Sequence, residues 1–392
     1  SDRLAGGNTL IGTGARIIEV NAAGTLVWSY PVTYQTETVE GYLVTAPNGN
    51  QLWTKIIQPR TDLYPGQTFP AVVSVPGGLG AGEGGNANVA SSGFVEFHFN
   101  AEGRGTAHPS SGTENHNGFI HQDDLKAVIE FAYSRSNVAK DNLGVGTGSY
   151  GITMGAGCLG RYPGLPVKYL VDNEGPCDNY VTSFEPWSLD SNPTNDKYQS
   201  AYQMFGHYSV SRDPSPANVA WWSEREATRY IGSMRSRYLR TQAQWDHAQP
   251  PNAQWPTGWD YPPLWYPGKH AIDLVNLATQ GQAEWTRVNR STLGNLPNTL
   301  YGKESPPVYY SGRMQDHQGE TPRLIREMAY TLPRRGDLNH DGYIDLLDLD
   351  GFVAVLLGLD ADPDQATIAD LDGDGSVNGL DIPSFIDGLC GL

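Results

Sequence analysis

Short alternating runs of hydrophobic and polar residues occupy the first sixty positions of the chain. Residues 15–20 and 25–32 are rich in β-branched and aromatic residues, and the NAAG sequence between them is typical of a turn. Residues 37–59 repeat this pattern around an Asn-Gly-Asn sequence, which favours a tight turn. The pattern predicts an N-terminal β-hairpin extension over residues 1–36, followed by two antiparallel strands at the edge of a larger sheet.

Strand-like and helix-like segments alternate from residue 71 onwards. Short, mostly apolar runs predict the strands, and apolar residues at helical spacing predict the helices. The expected strands are 71–75, 94–99, 143–146, 167–172 and 284–289, with one more that begins at residue 237. The expected helices are 123–135, 153–162, about 269–280 and about 320–332. Strands that alternate with helices indicate a mostly parallel sheet with right-handed crossovers, which is an α/β fold.

Two segments depart from this alternation. The segment from about residue 178 to residue 235 is long and rich in aromatic side chains. An insertion of this size in an α/β domain usually covers the active site. A Pro-Arg-Arg sequence at 333–335 marks a second boundary. We therefore expect a catalytic α/β domain over residues 37–334 with a cap insertion, and a small separate domain over 335–392.

The composition limits the classes of partner. The 392 residues include 43 acidic and 26 basic side chains, for a net charge of −17. This charge argues against binding to nucleic acid or to an anionic membrane surface. No apolar run approaches the roughly 20 residues that span a bilayer, and the first 15 residues lack the layout of a signal peptide. We expect a mature, secreted protein.

Two acidic segments have the spacing of calcium-binding loops. Residues 337–348 read DLNHDGYIDLLD and residues 370–381 read DLDGDGSVNGLD, each with oxygen-bearing side chains at positions one, three, five, nine and twelve and Gly at position six. Calcium prefers six to eight oxygen ligands, and position seven supplies a backbone carbonyl. The predicted ligands are Asp337, Asn339, Asp341, Tyr343, Asp345 and Asp348, then Asp370, Asp372, Asp374, Ser376, Asn378 and Asp381. Two complete copies in tandem predict two bound Ca²⁺ ions.

The duplicated loop and helix unit over residues 336–392 resembles a type I dockerin, an α-helical module. Position twelve is Asp rather than the Glu of a regular EF-hand, and no helix precedes the first loop. The resemblance implies that the tail attaches the chain to a cohesin-bearing scaffold, with contacts at loop positions ten and eleven. These positions hold Leu346-Leu347 and Gly379-Leu380, and such exposed leucines need a covering surface. An unusual cohesin, another surface of the same protein and a neighbouring copy of the chain all remain open as that partner.

Residues 143–157 have the pattern of a nucleophile elbow. Ser149 stands between Gly148 and Tyr150, after a predicted strand and before a predicted helix, where a tight turn lifts the hydroxyl above the sheet. The usual sequence is G-x-S-x-G, and here Thr147 replaces the first Gly while Gly151 keeps the second. The pattern predicts that Ser149 is a nucleophile.

The chain over roughly residues 37–333 resembles an α/β-hydrolase of the branch that includes prolyl-oligopeptidase-like and acetyl-xylan-esterase-like enzymes. The motifs are NAEGRG after the fourth hydrolase strand and GSYG at the elbow. The resemblance implies that Asp246 in QWDHAQP is the acid and His317 in MQDHQGE is the base. It also implies an oxyanion hole formed by the backbone N–H groups of Tyr150 and Leu79, with Gly78 or Gly80 as the alternative to Leu79.

Other residues compete for these roles. Asp172 and Asp178 are alternatives to Asp246, because some hydrolases take the acid from the strand that follows the elbow helix. His207 and His247 are alternatives to His317. Cys158 and Cys177 flank the elbow helix and the next strand, so they either form a disulfide or remain buried free thiols.

The expected function is that of a secreted serine esterase acting on polysaccharide esters, with no cofactor for catalysis. A serine peptidase is the alternative within enzymes. A structural or assembly subunit that uses a hydrolase scaffold and calcium-dependent subunit contacts is the alternative from another class.

Overall fold

A computed structural model describes the backbone of most of the chain. The described residues are 2–3, 9–13, 16–20, 26–31, 33–177, 216–245, 265–289, 300–302, 305–317, 319–330, 336, 338, 346, 348–360, 363–371 and 376–390. The chain divides into two compact units, one of residues 36–90 with 94–325 and one of residues 1–35, 91–93 and 326–392.

Eight strands of the described chain form the central sheet of the larger unit. They are β5 (Thr36–Thr45), β6 (Gln51–Pro59), β7 (Phe69–Val75), β8 (Val95–Phe99), β9 (Val138–Gly148), β10 (Tyr169–Asn173), β11 (Arg237–Thr241) and β13 (Thr286–Val288). Their order is β13-β11-β10-β9-β7-β8-β6-β5, and β6 pairs antiparallel with both of its neighbours while the other pairings are parallel. The predicted mostly parallel α/β fold with an antiparallel edge is confirmed.

Helices lie in most of the connections between the parallel strands. They are α1 (Phe119–Ser134), α2 (Gly151–Arg161), α3 (Pro216–Ser223), α4 (Ala227–Tyr230) and α5 (Trp265–Gln280), and α6 (Glu320–Tyr330) lies beyond the last of these strands. All five residues of β8 are buried, including the polar side chains of Glu96 and His98. Helix α2 packs against α1 and α4, so the segment that follows the sheet's central strand is held rigidly.

A small two-stranded sheet was not predicted from the sequence. Strand β12 (Ala243–Trp245) continues from β11 and pairs in parallel with β14 (Tyr310–Arg313). One turn of 3₁₀-helix, Met314–His317, follows β14 directly. This pairing places the turn that carries His317 next to the chain leaving β11.

The N-terminal segment forms a larger sheet than the predicted hairpin. The predicted pair is present as β3 (Arg16–Val20) and β4 (Leu26–Pro31). Two further strands, β1 (Asp2–Arg3) and β2 (Thr9–Thr13), extend it to a four-stranded antiparallel sheet.

The described residues of the C-terminal segment form three helices around a small apolar core. They are α7 (Leu349–Leu356), α8 (Pro363–Ala369) and α9 (Asp381–Cys390). Phe352 and Phe385 stack at the centre with ring centroids 4.2 Å apart. Among the residues that the structure describes, no helix is both long and apolar enough to cross a membrane.

Candidate active site

Ser149 occupies a strained turn at the carboxyl end of β9. Its φ angle is +47°, a conformation that L-residues other than Gly rarely adopt. Its N–H donates a hydrogen bond of 2.7 Å to the carbonyl of Asn173, at the end of the neighbouring strand β10. Helix α2 begins two residues later, at Gly151. This is the strand, turn and helix arrangement that the elbow pattern predicts.

Glycines allow the backbone to approach this turn closely. A Cβ atom on Gly77 would lie 2.9 Å from the Gly148 oxygen and from the Ser149 Cβ. A Cβ atom on Gly151 would lie 2.8 Å from the carbonyl oxygen of Pro76. Because these neighbours are mostly backbone atoms that cannot move aside, larger residues at positions 77 and 151 would displace the elbow.

Thr147 fills the position where the usual motif has Gly. Its side chain is buried, and its hydroxyl lies 3.4 Å from Asp172 Oδ1 as a weak donor. Gly155, one turn into α2, faces it, because a Cβ there would lie 2.6 Å from the Thr147 methyl group. The glycine that lets the strand and helix approach is therefore on the helix rather than on the strand.

The predicted oxyanion loop is a tight turn beside Ser149. The Gly80 N–H donates to the Gly77 carbonyl at 2.9 Å, and Gly78 has a φ of +57°. Within the described part of the chain, neither the Gly78 nor the Leu79 N–H donates a hydrogen bond. The Leu79 side chain packs against the buried Tyr150. The free amides of this turn are thus donors suited to a developing negative charge.

His317 lies on the 3₁₀ turn that follows β14. Its ring stacks on Tyr310 with centroids 5.0 Å apart, and its Nε2 donates a hydrogen bond of 2.6 Å to the Ser311 carbonyl. Burial, together with a hydrogen bond from its hydroxyl to Glu320, raises the pKa of Tyr310 to about 12. The phenol that supports the imidazole therefore stays neutral.

Ser149 and His317 line the same cavity, which has a volume of about 590 Å³. Gly77, Asn173 and Glu174 also line it. In the structure the imidazole is hydrogen-bonded to Ser311, and the Ser149 hydroxyl makes no hydrogen bond with a described residue. The structure thus brings the predicted nucleophile and base into one cavity, although they are not hydrogen-bonded to each other.

The predicted acid and several rivals fall outside the described residues. These are Asp246, Asp178, His207 and His247. Glu174 is the carboxylate in the described part of the cavity wall. It follows β10, the strand for which the sequence analysis considered only the aspartates Asp172 and Asp178. The signal that was available was its position directly after that strand.

Asp172 belongs to a buried network and not to the cavity wall. It forms an ion pair of 2.7 Å with Arg240, and both side chains are completely buried. It also accepts hydrogen bonds from the Tyr238 hydroxyl at 2.8 Å and from the Gly175 N–H at 3.1 Å. Burial raises the pKa of Asp172, and the Arg240 guanidinium opposes that shift. The network ties the ends of β10 and β11 together.

Of the two alternatives for Cys158 and Cys177, a disulfide or buried free thiols, the structure shows the free thiols. Both side chains are buried. Cys158 lies inside α2, where burial raises the pKa of its thiol. Cys177 contacts α5 instead, because its N–H donates to His270 Nδ1 at 2.9 Å and its Sγ lies 3.9 Å from Asp273.

The two predicted calcium loops close in the same way. At position twelve, Asp348 Oδ1 accepts the Leu338 N–H at 2.7 Å, and Asp381 Oδ1 accepts the Leu371 N–H at 2.7 Å. Both carboxylates are completely buried. Buried carboxylates need compensating charge or hydrogen bonds, so these residues fit a bound cation.

The other predicted calcium ligands are partly described. Asp370, Ser376 and Asn378 are among the described residues. The ligands outside the described residues are Asp337, Asn339, Asp341, Tyr343, Asp345, Asp372 and Asp374.

Apolar side chains are exposed at the contact positions of both loops. Leu346 is 75% exposed and Leu380 is 66% exposed. Leu347 lies outside the described residues, and Gly379 is exposed. The expected uncovered leucines are therefore present on the surface of this unit.

Comparisons with solved structures give distant likenesses. A putative dipeptidyl aminopeptidase IV from Bacteroides ovatus is 14% identical with a TM-score of 0.48, over 80% of this chain and 39% of that chain. Acetyl xylan esterase 1 from Thermoanaerobacterium is 14% identical with a TM-score of 0.48, over 76% of this chain and 88% of that chain. A puromycin-hydrolysing peptidase from Mycobacterium tuberculosis is 13% identical with a TM-score of 0.48, over 81% of this chain and 43% of that chain. The chain thus spans well under half of the two peptidases.

A family comparison covers the C-terminal segment. Residues 335–387 match the dockerin type I domain. No curated protein matches the chain. The duplicated loops, the three helices around Phe352 and Phe385, and this match agree with one another. Residues 335–387 form a dockerin type I domain, and the larger unit of the same chain has a mostly parallel α/β fold with Ser149 at a strand-to-helix turn.

Proposed function

We propose that this protein is a secreted serine hydrolase of the carbohydrate esterase type, attached to a scaffold through its dockerin domain. The observation that carries the proposal is the strained Ser149 elbow, which shares one cavity with the imidazole of His317. A serine hydroxyl becomes an effective nucleophile when a neutral imidazole accepts its proton. The expected chemistry is acyl transfer from an ester to Ser149 and then to water.

The reaction begins with attack by Ser149 Oγ on the ester carbonyl carbon. The hydroxyl proton passes to His317, the Oγ–C bond forms, and the carbonyl electron pair moves onto oxygen. When the tetrahedral species collapses, the C–O bond to the alcohol breaks and the alcohol takes the proton from His317. A water molecule then repeats the sequence on the acyl-enzyme, releasing the acid and restoring Ser149.

Backbone N–H groups would stabilise the oxyanion. The proposed donors are Tyr150, which directly follows the nucleophile, and Leu79 in the Gly77–Gly80 turn, with Gly78 as the alternative. Loss of one such donor typically costs about 3 kcal/mol of transition-state stabilisation. Asp246 remains a prediction for the acid.

An imidazole in this role must move away from Ser311. In the structure, the hydrogen bond from Nε2 to the Ser311 carbonyl holds the ring away from the Ser149 hydroxyl. Rotation about the side-chain bonds of His317 within the cavity would exchange this contact for one with Ser149. Catalytic hydrogen bonds often form only when substrate is bound, so the recorded contact is compatible with the role.

The dockerin domain supports the choice of substrate and location. Modules of this kind commonly accompany enzymes that degrade polysaccharides, which favours an ester of a carbohydrate and an extracellular setting. The proposed partner is a cohesin, with a neighbouring copy of the chain as the alternative. Two calcium ions would be held by the two loops, and they would supply the positive charge that the buried Asp348 and Asp381 need.

A fluorophosphonate probe tests the catalytic part of the proposal on the full chain. The wild type should be labelled covalently, Ser149→Ala should not, and the control Ser134→Ala, at the end of α1, should be labelled like the wild type. Equal labelling of Ser149→Ala, or no labelling of the wild type, would exclude Ser149 as the nucleophile. A substrate panel of acetylated xylo-oligosaccharides, feruloyl esters and proline-containing peptide amides then separates esterase from peptidase, because turnover of the amides alone would favour the peptidase.

A further inference from the structure

Glu174 is the neighbour of Ser149 at the carboxyl edge of the sheet. In the parallel pairing of β9 and β10, Gly148 lies opposite Asn173, so the next pair along the two strands is Ser149 and Glu174. Both residues have positive φ angles, +47° for Ser149 and +50° for Glu174. Because a side chain other than Gly rarely tolerates this conformation, two adjacent examples indicate that both turns serve a function.

The Glu174 side chain is buried and anchored although it faces a cavity. The residue is only 1% exposed, and it lines the same cavity as Ser149 and His317. Its Oε1 accepts the Ala243 N–H at 3.0 Å and the Gln242 amide at 3.4 Å. Carboxylates buried to this degree are costly, so a merely structural position would more often carry an apolar or neutral side chain.

Gln242, which donates a hydrogen bond to Glu174, is itself held by a second set of contacts. Gln242 Oε1 accepts two hydrogen bonds from Arg240, at 3.0 and 2.5 Å. Arg240 is itself fixed by its buried ion pair with Asp172. The Glu174 carboxylate is therefore held by a chain of buried groups, and a fixed carboxylate is what a catalytic histidine needs for its orientation.

In the structure, the imidazole of His317 has a hydrogen-bond partner that is weaker than a carboxylate would be. Its hydrogen bond goes to a neutral carbonyl, that of Ser311. A hydrogen bond to an ionised carboxylate is roughly twice as strong as one between neutral groups. Once a proton moves from Ser149 to the imidazole, an anionic partner in the same cavity also stabilises the positive charge that develops on the ring.

We propose that Glu174 is the carboxylate that orients His317 and stabilises its protonated form, in the role that the family resemblance implies for Asp246. Glu174 is a positioning residue, because it acts on the substrate only through the imidazole. The inference rests on the proposed function, since it requires the reaction of Ser149 and His317.

The test compares Glu174→Gln, Glu174→Asp and Asp246→Asn in the full chain, with p-nitrophenyl acetate as the substrate. Glu174→Gln should lower kcat by roughly 10³- to 10⁴-fold, as removal of the charge of a triad acid does, with KM changed little. The acidic limb of its kcat/KM profile should move to lower pH, because the protonated imidazole loses its anionic neighbour. The kcat of Glu174→Asp should lie between those of Glu174→Gln and the wild type. Asp246→Asn should keep most of the wild-type kcat.

Two outcomes for kcat would overturn the assignment. One is a Glu174→Gln variant that keeps more than about a tenth of the wild-type kcat with an unmoved acidic limb. The other is a large loss in Asp246→Asn without one in Glu174→Gln. A rise in KM alone would assign Glu174 to substrate binding and would also overturn the proposal.

Folding and the proposed function are checked separately. Thermal unfolding is measured for each variant. If Glu174→Gln does not fold, the kcat of Glu174→Asp tests the assignment instead. This variant keeps the charge but shortens the side chain, so a kcat loss of tenfold or more at an unchanged unfolding temperature supports the role, and an unchanged kcat contradicts it. Failure of the probe to distinguish Ser149→Ala from wild type would reject the proposed function itself, whereas normal probe labelling with an active Glu174→Gln rejects only this inference.

Discussion

Thr147 shows how a departure from a motif is accommodated by a neighbouring residue. The elbow pattern expects Gly at this position because the strand and helix approach closely there. In the structure the Thr147 methyl group occupies the space that a side chain at Gly155 would need, since the two would lie 2.6 Å apart. The requirement for a small residue is preserved but has moved eight positions along the chain, which a five-residue pattern cannot detect.

Other features of the site could not be predicted from residue types alone. Ser149 and His317 were identified because their neighbours in the sequence form a recognisable turn and a loop before the last helix of the domain. Residue type alone does not single out Glu174, because the role proposed for it depends on the strand register that sets it beside Ser149. The choice between a disulfide and free thiols for Cys158 and Cys177 was open for a related reason, because the tertiary fold decides whether two cysteines meet.

Glu83 gives a prediction of pH-dependent stability near the oxyanion loop. Its carboxylate accepts the N–H groups of Thr106 and His108 at 2.8 and 2.9 Å, and these bonds lower its pKa from 4.5 to about 2. A carboxyl whose pKa is lower in the folded state stabilises the fold above its unfolded pKa, and the contribution disappears as the pH falls through the folded value. Glu83→Gln should therefore lower the unfolding temperature at neutral pH, and the difference from wild type should shrink between about pH 4.5 and 2.

Thermal unfolding measured across this pH range checks the prediction. Glu40→Gln, at an exposed position on the edge strand β5, serves as the control and should behave like the wild type throughout. A difference between Glu83→Gln and wild type that stays constant down to pH 2 would contradict the proposed role of the carboxylate.

At the scale of elements, the alternation of strands and helices was sufficient to predict the sheet. Strand β7 leaves a clear signal, because its sequence FPAVVSV is almost wholly apolar and mostly buried. Strand β14 was not predicted, because its sequence YSGR carries no apolar pattern and it exists through its pairing with β12. The helix α1 begins four residues before the predicted start, and its first residues, Phe119 and Ile120, are partly exposed.

The two copies of the loop predict two bound calcium ions, each held by the same set of loop positions. Asp348→Asn and Asp381→Asn each remove one charged carboxylate from position twelve, so each variant should bind one ion where the wild type binds two. The affinity of the altered loop should fall by at least roughly tenfold, since even the loss of an outer-shell partner has that effect. Isothermal titration of the chelator-treated full chain measures both quantities.

An exposed carboxylate of the same domain provides the control for this experiment. Asp350→Asn, in the first turn of α7, should leave the stoichiometry at two. One ion bound by the wild type, or two bound by both position-twelve variants, would show that the loops do not act as the repeat predicts. Chelator should also lower the unfolding temperature of the helices α7, α8 and α9, because calcium binding contributes to folding.

At the scale of the whole molecule, the chain combines a cavity suited to acyl transfer with a domain suited to attachment. The net charge of −17 over the whole chain argues against nucleic acid as a partner and is consistent with binding of calcium. The cavity residues that we assign to catalysis all belong to one compact unit, and the dockerin residues all belong to the other. We therefore expect attachment and catalysis to be separable by mutation.

Leu346 and Leu380 are the residues that test this separation. Both are exposed at equivalent regions of the two loops, and a charged group there would oppose burial against an apolar partner surface. The double variant Leu346→Lys with Leu380→Lys should lose binding to a panel of immobilised type I cohesins by at least roughly tenfold while it is labelled by the fluorophosphonate probe like the wild type. Leu359→Lys, at an equally exposed leucine after α7, is the matched control and should keep its binding. If the double variant instead bound every cohesin normally but no longer self-associated in light scattering, the two leucines would contact a second copy of the chain, and the cohesin assignment of this surface would be wrong.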